Sequence, residues 1–467
     1  MRSTRNGNNN NKSNRNSNIR NVILVTVDCL RADHLHCYNY PRSTTPFIDR
    51  LAEKGALFTS FFANGPFTAA AFPALLTSTY ALDNGKYITL ENRTFVSEIL
   101  QKNGIKTAAI HSNPYLSSQF GYDKGFDYFE DFLGTQKPPK SVLKFLQRGD
   151  SIANKVVKRV KFLYETKSIV KNWIRLRDIP YASAERITEY ALRWIESISP
   201  DPFFLWVHYM DLHEPYVILN TGVQQEYSKN VSKLLQSKLL SNNQKYIQYI
   251  IDVYDDKLRY IDHHVKMLYS FLEKKKILKN SVIMITSDHG QEFYEHSDFG
   301  HKALYYDEIL HIPLVVYGQK RMQSDSLRSQ VDIPPTILSL YGITPPSDYC
   351  GSPIFLNFEK EVVISESSHN EKGIYVTGHE PGDITYHSEC TSYACRTKKW
   401  KYIQQYGQEQ LYNVKEDLKE KHNVVTEYPD VAAELRKILD EHKKKRGVAE
   451  KERIFESVEK LKKLKKI

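Results

Sequence analysis

Three apolar, β-branched runs each lead into an acidic residue, and that recurrence limits the folds open to the chain. They are NVILVTV before Asp28, FFLWVHYM before Asp211 and SVIMITS before Asp288. Such runs suit strands buried on both faces, as in a parallel sheet with helices above and below. Further strands read at 105–110 (IKTAAI) and 312–318 (IPLVVYG). Between them, 45–64 reads as a Pro-started helix, a Gly55 stop and a strand, and 96–104 as an amphipathic helix with a Gly stop. Residues 68–79 suggest another helix, with Pro73 expected in its first turns. The alternation predicts an α/β fold, a large mostly parallel sheet sandwiched by helices. From about residue 345 the pattern changes to short strands (EVVISE, KKWKYIQ, EQLYNV) and one helix near 429–442, a smaller C-terminal α+β subdomain. The expected division is a polar tail over 1–20, a catalytic domain over 21–345, the subdomain over 346–442 and a basic tail over 443–467.

Composition sharpens what this fold carries. The 467 residues are 41% hydrophobic and 26% charged, ample for a buried core. The net charge of +10 suggests nucleic acid until it is located. Residues 1–20 carry +5 and residues 443–467 carry +7, which leaves the remainder at −2. The basicity therefore belongs to the tails and one internal segment, and no specific nucleic-acid partner is expected. That segment, 137–178, holds twelve basic residues against three acidic ones, interleaved with Val, Leu, Phe, Ile and Trp173. It reads as a solvated helical insertion or as a basic amphipathic element for an anionic membrane surface. The five cysteines form no CxxC pattern and no disulfide framework, although Cys390 and Cys395 are close enough in sequence to pair. With no apolar signal segment at the start and no membrane-length run, the expectation is a cytoplasmic protein with reduced thiols, peripheral to a membrane at most.

Ligands of parallel α/β sheets bind beyond the carboxyl ends of the strands. Asp28, the Asp211–His213 pair and Asp288–His289 all fall at such ends. A strand-ending aspartate often caps the next helix, so each alone has two readings. Carboxylate and imidazole together before Gly290 suit a metal ligand pair more specifically.

The blocks NVILVTVDCLRADHLHCYNY, TTPFIDRLAEKGALFTSFFAN, ALLTSTY, TSDHGQEF, YYDEILHIPLVVYG and QVDIPPTILSLYGI, in that order, resemble those of the sulfatase family within the alkaline-phosphatase-like enzymes. The late RTKKWKYI…EQLYNVKEDLKEKHN resembles the family's C-terminal signature, so the likeness runs over about 20–440. It implies a hydrolase of sulfate or phosphate esters, with Asp28, Asp288 and His289 as ligands of one divalent metal ion. Cys29 replaces the usual second acid, which leaves Ca, Mn, Mg and Zn open. Counting back from Leu75-Leu76-Thr77 puts Thr68 where the family carries its formylglycine precursor, with Ala70 and Phe72 in place of the motif's Pro and Arg. Thr68 resembles the threonine nucleophile of phosphodiesterase and phosphotransferase relatives, and the other reading is a helix cap. The family's Lys-Trp-His stretch is replaced by HSNPYLS at 111–117, whereas His213 and Lys302 fall where an anion-binding His and Lys are expected. His208 reads as a strand-packing residue. Two alternatives stay open: a two-metal phosphatase, phosphodiesterase or phosphotransferase with Asp211, His213 and His301 at a second metal, and an inactive anion-binding scaffold.

Overall fold

The computed structural model describes residues 19–83, 87–88, 90, 93–133, 181–214, 244–301, 303–356, 360–369 and 390–444. The segment 137–178, the N-terminal tail up to residue 18, most of the basic C-terminal tail and Lys302 lie outside the described residues.

The main sheet has eight strands: β1 (Asn21–Val27), β2 (Ala56–Phe58), β3 (Lys106–Ile110), β4 (Tyr128–Glu130), β5 (Phe203–Tyr209), β6 (Ser281–Ser287), β7 (Leu314–Tyr317) and β8 (Met322–Ser324). Their order is β8-β2-β7-β6-β1-β5-β3-β4. Only β7 runs against its neighbours; the other seven point one way. The β-branched runs read from the sequence are the central strands, and β1, β5 and β6 are buried at every position. Successive side chains alternate between faces. Ile23, Val25 and Val27 accordingly enter one core layer and Val22 and Leu24 the other.

Helices α1 (Pro46–Lys54), α4 (Ala184–Ile198) and α5 (Gln244–Lys274) cover the first face, and α2 (Thr68–Thr77), α3 (Val96–Lys102) and α6 (Ile333–Leu340) the second. All ten residues of α2 are buried. Pro73 is its sixth residue, within the first two turns as expected from sequence. It forfeits one backbone hydrogen bond there. The enclosed setting of α2, where Phe72, Leu75 and Leu76 all pack into the core, offsets that loss.

A second sheet, β9 (Val363–His369), β10 (Cys390–Arg396), β11 (Trp400–Gln405) and β12 (Gln408–Asn413), is antiparallel throughout and carries α7 (Pro429–Lys444). Cys395 is a buried free thiol, and Cys390 stands at the other end of the same strand, too far along it to pair. This subdomain holds the approach to α2. Asn64 Nδ2 donates to the Ile364 carbonyl (2.7 Å), Ser365 Oγ to the Ala63 carbonyl (2.6 Å) and the Glu366 amide to the Asn64 carbonyl (2.9 Å). Phe67, Ala69 and Ala70 pack with Tyr393 and Tyr402 of the small sheet. Among the described residues, no helix is long and apolar enough to cross a membrane.

Candidate active site

Parallel pairing in register sets the site. Val27 of β1 is level with Ser287 of β6, so the next residue on each strand, Asp28 and Asp288, leaves the sheet at the same height. Both are fully buried. Chain direction then changes sharply at Cys29, whose φ of 61° is in the left-handed region that a side chain adopts at a cost of about 1 kcal/mol. Tyr254 holds that turn, its hydroxyl donating to the Cys29 carbonyl (2.8 Å) and accepting from the Arg31 amide (3.0 Å). Gly290 follows His289 because a Cβ there would meet the Glu308 carbonyl oxygen at 2.0 Å. Close approach, and not a turn with positive φ, is what requires this glycine.

Thr68 is the first residue of α2, and its hydroxyl falls between the two strand ends. Oγ1 donates to Asp288 Oδ2 at 3.0 Å and lies 3.4 Å from both Asp28 Oδ2 and His289 Nε2. His289 Nδ1 donates to the Gly290 carbonyl (2.9 Å), which fixes the ring so that the lone pair of Nε2 faces the carboxylates. Gln330 anchors the loop from behind, donating to the Asp288 carbonyl (2.6 Å).

The electrostatics of this group fit a cation. Burial and the charge of Asp28 push the Asp288 carboxyl above the usual carboxylate range. Burial also works against the charge on Asp28, but His213, the adjoining His208 and His289 hold it well below the usual carboxylate range. Burial lowers His289, keeping the imidazole neutral and able to donate its lone pair. Two buried carboxylates and a neutral imidazole, with ligand atoms within 4.8 Å of one another, make a donor set of the kind that binds divalent ions.

Two residues at this corner were not singled out in the sequence. Asn113 Nδ2 donates to Asp28 Oδ2 (3.1 Å). His208, read as strand packing, is indeed buried within β5, yet its Nε2 stands 3.4 Å from Asp28 Oδ2. Thr26 Oγ1 sits 2.9 Å from His208 Nδ1 and accepts from Trp206 Nε1 (2.9 Å), so the ring is held from behind. A signal for Asn113 was available: it lies three residues beyond the carboxyl end of β3, where the strand-end rule applies equally.

The remaining expected residues divide. His213 and His301 come together, their rings 4.9 Å apart, and His301 also stands beside His289 (4.5 Å) and Cys29 (Nδ1 to Sγ, 3.6 Å). Asp211 does not join them. Its Oδ2 accepts from the Ala184 amide (2.9 Å) at the start of α4, the helix before its strand and not the next helix that a strand-ending aspartate was expected to cap.

A family model described as "Sulfatase" matches residues 20–343, and one described as "N-sulphoglucosamine sulphohydrolase, C-terminal" matches residues 294–445. The chain is 24% identical to arylsulfatase K of Mus musculus, across 89% of this chain and 78% of that protein. It is also 24% identical to an N-acetylglucosamine-6-O-sulfatase of Bacteroides thetaiotaomicron, across 91% and 86%. A protein solved in complex with its substrate D-glucosamine-2-N,6-O-disulfate superposes with a TM-score of 0.64 at 18% identity, covering 91% of this chain and 98% of that one. The phosphonate monoester hydrolase of Agrobacterium radiobacter superposes at 0.62 and 18%, covering 90% and 94%. A fold, a block order and a family model that agree over most of its length place this chain in the sulfatase family, as a sulfatase-like hydrolase.

Proposed function

We propose that this hydrolase cleaves a sulfate or phosphate ester with Thr68 as nucleophile and one divalent cation held by Asp28, Asp288 and His289. The observation that carries the reading is the Thr68 hydroxyl, 3.0–3.4 Å from one donor atom of each of the three residues. A bound cation would neutralise the oxygens of the ester and favour the alkoxide of a coordinated hydroxyl.

The chain's own groups supply the rest. Thr68 Oγ1 forms the bond to sulfur or phosphorus as the bond to the departing alcohol breaks. Its proton has a nearest acceptor in Asp288 Oδ2. The amino end of α2 faces the anion, where unpaired backbone N–H groups favour negative charge. Asn113 and His208 fix Asp28 in position. His213 and Lys302 are assigned to the outer ester oxygens. Water then attacks the Thr68 ester and restores the hydroxyl, or an acceptor alcohol takes its place.

Threonine cannot be converted to formylglycine, so phosphate esters should rival or exceed sulfate esters as substrates. Assays of p-nitrophenyl sulfate, p-nitrophenyl phosphate and a phosphodiester across several metals test this, and strong activity on sulfate alone would refute it. Two further readings complete the proposal. The free thiols of Cys29, Cys37 and Cys395 are compatible with a cytoplasmic setting. The charge of 137–178 supports contact with anionic membranes, to be tested by co-sedimentation with anionic against neutral liposomes.

A further inference from the structure

His289 belongs to two donor groups at once. One is the carboxylate group with Asp28 and Asp288, and the other consists of Cys29, His289 and His301, again with ligand atoms all within 4.8 Å of one another. The second group adjoins His213, whose ring lies 4.9 Å from that of His301. Its chemistry differs too: one sulfur and two imidazoles, against two carboxylates and one imidazole. Sulfur and imidazole suit zinc-like, thiophilic ions, whereas a carboxylate set suits hard ions.

The two imidazoles of the sulfur group are held differently. His289 Nδ1 donates to the Gly290 carbonyl (2.9 Å), and His301 Nδ1 lies 3.0 Å from Gln291 Oε1. The contact of His289 orients its ring and leaves Nε2 to bind, whereas His301 presents Nδ1 to Cys29 Sγ (3.6 Å) and would exchange Gln291 for the ion. Gln291 is itself fully buried, so its contact with His301 is enclosed. Sulfur and nitrogen ligands of one tetrahedral zinc-type ion stand about 3.6 Å apart, so shifts on the order of 1 Å close the set. Cys29 Sγ now donates its proton to Asp28 Oδ1 (2.9 Å). On binding, the sulfur–metal bond forms and that proton leaves to solvent.

We propose that Cys29, His289 and His301 form a second, mutually exclusive site for a thiophilic divalent cation, which withdraws His289 from the carboxylate site and so inhibits the enzyme. The exclusion follows from the single free nitrogen of His289, which serves one ion at a time. The inhibitory part rests on the proposed role of Asp28, Asp288 and His289. The sulfur site itself does not, because it needs neither carboxylate.

Cadmium titration of the metal-stripped full chain tests this, with bound metal measured directly and thiolate-to-cadmium charge-transfer absorption as the readout. The wild type should show the absorption at one equivalent. Cys29→Ser should lose it while melting as the wild type does. His301→Gln, which keeps the thiol, should need roughly tenfold more cadmium or worse. Asp288→Asn should retain the absorption. If cadmium binds without it, if it survives in Cys29→Ser, or if no cadmium binds at all, the sulfur site is refuted. Failure of the carboxylate reading would show separately, as manganese binding that is equal in the wild type and Asp288→Asn. Excess Zn²⁺ should also slow turnover in the wild type and less so in Cys29→Ser; equal inhibition would overturn the competition.

Discussion

Two strand ends that look alike in sequence have opposite fates. Asp28 follows β1 directly and Asp288 follows β6 directly, and both converge on Thr68. Asp211 follows β5 after one extra residue, Met210. Because Val27 is level with both Tyr209 and Ser287, the position level with Asp28 and Asp288 on β5 is Met210. A shift of one residue reverses the face to which a side chain points. Asp211 accordingly turns to α4 and accepts from its first amide. A strand-ending acid is thus a ligand candidate only when it exits level with its neighbours.

The sharpest break of this comparison is at the residue on which the level pair converges. Thr68→Ala should lower turnover by three or more orders of magnitude, the scale on which removal of a nucleophile is felt. Thr68→Ser should keep part of the activity, since only the hydroxyl reacts. If Thr68→Ala turns over like the wild type, the level carboxylates serve something other than a nucleophile. Next come the acids themselves. Asp288→Asn should lose bound Mn²⁺ and nearly all activity with the fold intact, whereas Asp211→Asn should keep both. Metal content of the purified variants, measured after identical supplementation, decides between them. Equal losses at Asp211 and Asp288 would make the one-residue offset irrelevant.

The sequence carried most of this in its spacing. The buried strands and the strand-end residues Asp28, Asp288 and His289 were readable, because period and strand ends are local properties, whereas Thr68 came from the resemblance to the sulfatase blocks. Relative height was not readable, since it depends on which strands pair and in what register. That is why Asp211 ranked beside Asp28, and why His208 passed for core packing. His208 is level with Thr26. Only that pairing places its ring against Thr26 and brings Nε2 to Asp28. Asn113 was obscured differently. Its segment attracted notice for the Lys-Trp-His it lacks, and not for the amide it offers. Lys302 lies outside the described residues.

A smaller effect tests this hidden layer. Groups that orient a ligand typically alter cation affinity or activity by about 10–100-fold when removed. His208→Gln and Asn113→Ala should each fall in that range, with bound Mn²⁺ weakened and thermal stability little changed for Asn113→Ala. No change in affinity for either variant would reduce both residues to bystanders of Asp28.

The least effect on turnover, and the most distinctive pH signature, belongs to Asp211. Burial pushes its carboxyl up from 3.8 to about 6, against the pull of Lys257 and the Ala184 amide. A carboxyl raised by folding binds its proton more tightly in the native state than in the unfolded chain. Its contribution is therefore stabilising below about pH 4 and is lost as pH rises toward about 6. Above that window the buried charge costs up to about 3 kcal/mol relative to acid conditions. Asparagine can still accept the Ala184 amide and never ionises. Relative to wild type, Asp211→Asn should thus gain stability steadily between pH 4 and pH 6 and change no further above it. Denaturant melts of both proteins across that range give the difference directly, with contributions from all other carboxyls cancelling. A flat difference would mean that Asp211 titrates alike in the folded and unfolded chain, and its carboxylate, then ionised at neutral pH without penalty, would return to contention as a metal ligand despite its place at the start of α4.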